Sequence, residues 1–64
     1  MMIFKVIAVT EVKAAPSKFS ETLKFLPENR LLLIKDIKNG WAKTQLGYVA
    51  EDDIEFAFTD DDFE

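Results

Sequence analysis

The ten residues from Gly40 to Val49 constrain this chain more than any others. Gly40-Trp41 opens a short extended run, and Leu46-Gly47-Tyr48-Val49 turns back out of it. Asn39-Gly40 favours the primed two-residue turn whose twist matches that of paired strands. Two turns and two strands in so short a stretch commit their surroundings to antiparallel sheet, so the expected class is all-β. Elsewhere, Ile3 to Val9 is β-branched and aromatic with Lys5 its one charge, which predicts a first strand buried on at least one face. Leu31 to Ile37 predicts a second strand, Trp41 to Gln45 a third, Tyr48 to Ala50 a fourth and Ile54 to Phe58 a fifth. Glu51-Asp52-Asp53 reads as a single 3₁₀ turn before the last of them.

Between Thr10 and Phe25 the pattern loosens, and Ala15-Pro16-Ser17 predicts a turn, because proline fixes φ and biases the residue before it to extended geometry. This region reads as a long loop with some order. Leu23 and Leu26 are spaced for a helical turn while Leu23 and Phe25 alternate as in a strand, and periodicity leaves both open over so short a run. Pro27-Glu28-Asn29 predicts a tight turn, with Asn29 suited to a left-handed backbone.

At 64 residues the chain forms one domain at most, and one with a small core. A hydrophobic content of 48% with eight aromatic residues predicts that most of it folds. The absence of cysteine and histidine removes disulfides, thiolate and imidazole metal sites, and the commonest nucleophiles and bases. With two glycines there is no phosphate-cradling loop, and the paired carboxylates at 51–53 and 60–62 lie near the chain end and not in a desolvating cleft. No enzymatic activity, no cofactor and no metal are therefore expected; consecutive aspartates at 60–62 lack the spacing and glycine of a calcium loop. The longest apolar run, Leu31 to Ile34, is far short of the about 20 residues that span a bilayer, and the N-terminus lacks signal-peptide features. A cytoplasmic location without membrane contact is the expectation.

Taken in this order, the elements resemble the bacterial SH3-like (SH3b) family over roughly residues 4–55. The resemblance rests on an early strand ending in Val12, the Ala15-Pro16-Ser17 loop, the Leu23…Leu26 segment, a turn before Leu31–Ile34, Asn39-Gly40-Trp41 and Leu46-Gly47-Tyr48-Val49. It implies a small five-stranded, partly open barrel over residues 1–58 with a short 3₁₀ turn, followed by a frayed acidic tail at 59–64. Asn29 stands where the family usually has glycine, the hairpin between Trp41 and Tyr48 is short, and the acidic tail lies beyond the family's usual end. The relatives that bind proline-rich peptides carry a proline and a tyrosine where Ala50 and Asp53 stand here, so the resemblance argues against polyproline recognition.

Charge is segregated along the chain: residues 1–50 hold all eight lysines and arginines beside four acids, and residues 51–64 hold eight acids and no base. The bases are spread through the sequence without aromatic interleaving, which argues against direct nucleic-acid binding. Three readings of the tail stand open: a solvated terminus, a docking element whose Phe56, Phe58 and Phe63 anchor among acids on a basic partner surface, and a nucleic-acid mimic that acts on a DNA-binding protein.

The expectation drawn from all this is a non-catalytic protein-interaction module, a small adaptor or inhibitor, with Trp41, Tyr48, Phe19, Asp53, Phe58 and Phe63 as contact residues. Of these, Trp41 is expected partly exposed and Tyr48 mostly in the core, while Phe19 and Phe25 beside the long loop also read as lids over the core. The family resemblance adds an alternative, a module that binds peptidoglycan. Self-association through the 54–58 edge is a further alternative, opposed by the charge on Glu55 and the aspartates after it.

Overall fold

The computed structural model describes residues 2–59, which form seven strands and one 3₁₀ turn. The strands are β1 (Met2–Val6), β2 (Thr10–Lys13), β3 (Thr22–Leu26), β4 (Leu31–Lys38), β5 (Trp41–Thr44), β6 (Tyr48–Ala50) and β7 (Ile54–Thr59), with the 3₁₀ turn at Glu51–Asp53. All pair antiparallel in one sheet of order β3-β2-β6-β5-β4-β1-β7, and the ladder does not close into a barrel.

The all-β class, the 3₁₀ turn and the strands from Leu31 onward match the sequence reading, but seven strands replace the expected five. The two additions lie in the region read as a loop. The first apolar run does not continue to Val9: β1 ends at Val6, Ile7 donates its backbone N–H to the Asp53 carbonyl, and Asn29 donates to the Val6 carbonyl. Ile7 and Val9 are exposed in the resulting bend. The chain then re-enters the sheet as β2, and the ambiguous Leu23–Leu26 segment is the strand β3. The loop joining them is held by Ala14 N–H to the Glu21 carbonyl and by Ser20 Oγ, which accepts from Ala15 N–H at 2.9 Å. Thr59, read as the start of the tail, pairs with Met2 as the last residue of β7.

Alternation along the strands buries Val6, Val12, Leu26, Leu32, Ile34, Ala42, Val49 and Ile54 in one cluster, with Phe4, Ile37 and Leu46 packed against it. No aromatic side chain is fully buried there, and each valine, leucine and isoleucine contributes on the order of 1.5–3 kcal/mol by leaving water. The turns obey the local sequence closely. Lys38 pairs directly with Trp41, so Asn39 (φ 54°) and Gly40 (φ 83°) form the primed two-residue turn that the Asn-Gly pair predicts. Asn29 adopts the left-handed backbone expected of it, with φ 73°.

Candidate functional site

The β4-β5-β6 hairpins determine what their outer face presents. In β5, Ala42 and Thr44 are buried, so the alternate residues Trp41 and Lys43 point outward; in β6, Val49 is buried and Tyr48 and Ala50 point outward. Register assembles these side chains into two cross-strand rows. Asp36, Lys43, Tyr48 and Lys13 stand side by side across β4, β5, β6 and β2, and Lys38, Trp41 and Ala50 form the adjacent row.

Two concavities result. The first, about 450 Å³, is lined by Asp36, Lys38, Asn39, Trp41, Lys43 and Tyr48, with Pro16 closing one side. The second, about 220 Å³, is lined in part by Glu11, Lys13, Lys18, Phe25, Trp41, Ala50 and Asp53. Trp41 is the wall they share, half-buried, with one apolar body serving both. Folding thus gathers Lys38 and Lys43 into one groove and Lys13 and Lys18 into the next, although they are dispersed in sequence.

Hydrogen bonds fix the second concavity. Lys13 Nζ donates to Glu11 Oε1 at 2.9 Å and to Thr22 Oγ1 at 2.7 Å, and Thr22 Oγ1 donates to the same Glu11 oxygen at 2.6 Å. The threonine hydroxyl, and then the Lys13 ammonium, hold the Glu11 carboxyl below the usual glutamate range. Lys13 is nearly covered, so its charge is placed against Glu11 and is not free to sweep solvent. Elsewhere in the lining of this concavity, Thr10 Oγ1 donates to Asp53 Oδ2 at 2.7 Å, which ties the 3₁₀ turn to β2 across 43 residues of sequence.

The structure brings some of the expected contact residues together and separates others. Trp41 and Tyr48 share the first groove, and Trp41 and Asp53 share the second. Tyr48 is not mostly core: its side chain lies half-buried on the outer face, because Val49 takes the inward position of that short strand. Phe19 is 88% exposed at the loop, with the Lys18 ammonium 5.5 Å from its ring centroid, and lines neither groove. Neither Phe19 nor Phe25 covers the core as a lid; both are largely exposed. Phe58 belongs to β7, at the opposite end of the strand order from β2 and β3 and three places from β5. Phe63 lies outside the described residues, as do Asp60, Asp61 and Asp62.

Sequence reading missed Asp36, Lys38 and Lys43 as groove residues. The signal was present in the two-residue turn, which pairs Lys38 with Trp41 and carries the register back to Lys43 and Asp36. Pro16 and the Lys13–Glu11–Thr22 triangle were hidden, because they depend on a hairpin that the loosened pattern did not reveal. Among the described residues, no group of three or more carboxylates, imidazoles or thiols is arranged to hold a metal ion. No protein-family model, curated protein or solved structure matches the chain.

Proposed function

We propose that this chain is a non-catalytic protein-interaction module on an SH3-like scaffold of the bacterial type, contacting its partner through the Trp41 face. The scaffold reading is supported by the order of elements: a first strand, a hairpin excursion, three consecutive antiparallel strands, a 3₁₀ turn and a last strand returning beside the first. The observation that carries the functional reading is Trp41 itself, a half-buried indole standing between two concavities with Tyr48 beside it. An aromatic wall flanked by two hollows gives a partner side chains a place on either side, and the indole N–H supplies a polar handle. Lys38 and Lys43 outnumber Asp36 in the first concavity, which favours a partner segment that carries a carboxylate there.

The test is affinity capture from native lysate with the intact chain and with Trp41→Ala, whose folding is checked by circular dichroism. A protein retained by the first and lost by the second supports the proposal. Equal retention by both, or retention only on purified cell wall, overturns it, the latter in favour of a peptidoglycan-binding module.

A further inference from the structure

We propose a second interaction surface, distinct from the Trp41 face: the free edge of β7 accepts an extended, apolar segment of another protein that is flanked on both sides by lysine or arginine. The strand Ile54-Glu55-Phe56-Ala57-Phe58-Thr59 is one of the two ends of the sheet and pairs only with β1 among the described residues. Its outer backbone groups are therefore a template for one more strand. All of its residues after Ile54 are exposed.

Edge strands are usually blunted by charge, and here the acids lie before and after the strand, not within its apolar stretch. Its single charged side chain, Glu55, is matched to Lys5 at 3.6 Å. The register shift between Ile3 and Phe4 sets Phe56 beside Phe4 and Phe58 beside Ile3. Neighbouring residues of β1 point to opposite faces, so the two phenylalanines do as well. On one face Phe56 meets the Phe4 ring edge-on at 5.6 Å; on the other Phe58 adjoins Ile3, with Leu33 across β1. Phe56 and Phe58 remain 53% and 48% exposed, so an added strand would bury apolar surface on both faces. Its occupant accordingly carries consecutive apolar residues, whereas a strand with one wet face alternates.

Charge selects the occupant. Exposed Glu51 and Asp52 precede the edge, and Asp60, Asp61, Asp62 and Glu64 come after it in sequence. A second copy of the chain is a poor fit in every arrangement. Antiparallel β7 pairing sets the acids before one strand beside those after the other, and parallel pairing sets like beside like. The other free edge, β3, has Glu21 and Glu28 beside its ends and the exposed Lys24 at its centre, where an occupant of the β7 edge is apolar. A foreign segment with basic residues at both ends meets no such repulsion.

The probe is a capped synthetic peptide of five β-branched residues between paired lysines, titrated into the full-length chain by fluorescence anisotropy and followed by amide hydrogen exchange. The expected result is binding about tenfold tighter than that of the glutamate-flanked peptide, weakening with salt. Exchange at 55–58 should slow while that at 22–26 does not. Methylating alternate peptide amides should abolish binding, Glu51→Gln with Asp52→Asn should reduce the lysine preference, and Trp41→Ala should change neither. Equal binding of the glutamate-flanked or methylated peptide overturns the proposal, as does protection at 22–26. Concentration-dependent dimerisation that protects 54–59 without peptide also overturns it, in favour of a second copy.

Discussion

A β-carbon built on Gly47 meets the Lys13 carbonyl oxygen and Val12 Cγ1 at 2.7 Å each, whereas one built on Gly40 meets nothing within 4 Å. Both residues have positive φ, 143° and 83°, but only Gly47 is also pressed against the backbone of β2. Gly40→Ala should therefore cost only the left-handed strain, about 1–2 kcal/mol, while Gly47→Ala adds overpacking against a carbonyl that cannot swing aside and should cost upward of about 3 kcal/mol. Urea midpoints rank the two, and a smaller loss at position 47 contradicts the contact. Glu11 gives the residue-scale pH dependence. Its carboxyl is held below the usual range by Thr22 and Lys13, so the charged form stabilises the fold above the ordinary glutamate value of 4.5, and that contribution disappears as pH falls through the lowered value. The gap in melting temperature between the wild type and Glu11→Gln should accordingly close on acidification; a gap independent of pH would remove the ionised triangle as its cause.

At the scale of elements, the β5–β6 turn depends on one hydroxyl. Thr44 Oγ1 accepts from the N–H groups of Leu46 and Gly47 at 2.9 and 3.2 Å and donates to the Gly47 carbonyl at 2.9 Å, alongside the Thr44 N–H at 2.8 Å. Thr44→Val keeps the shape and removes the hydroxyl, leaving part-buried groups without their partner, and is expected to cost about 1–3 kcal/mol by thermal or urea unfolding. A neutral result would show that water replaces the hydroxyl at this turn. The same turn shows what was legible from sequence. Leu46-Gly47-Tyr48 announced a reversal, and Asn39-Gly40 announced both the turn and its primed type, because positive φ leaves few residue choices. The β2–β3 hairpin was not legible, since its order comes from Ser20, Glu21 and the pairing of Lys13 with Thr22, contacts that exist only once the strands meet. The early end of β1 escaped notice for a related reason: apolar Ile7 and Val9 continue the strand pattern, while the bend is imposed by backbone bonds to Asp53 and Asn29 far along the chain.

For the whole molecule, net charge is concentrated after the sheet. Met2 to Thr59 contains eight bases and eight acids, so the formal charge of −4 resides in Asp60, Asp61, Asp62 and Glu64. Within the sheet both signs meet around Trp41, where Lys38 and Lys43 stand with Asp36 and Lys13 and Lys18 with Glu11 and Asp53, so a neutral total still leaves exposed charges of both signs. Two molecules of such a body can attract one another through those opposite charges, and the two apolar faces of β7 add a second route to association. The four terminal acids oppose both by giving every molecule the same net sign. A chain ending at Thr59 should unfold at nearly the same temperature as the full chain but scatter more light near pH ~7, where its net charge falls to about zero. Salt separates the two routes: association through opposite charges weakens as salt rises, and association through β7 does not. A large drop in melting temperature on truncation would instead mean that residues 60–64 contribute to the fold, and would remove the basis for treating their charge as an interaction property.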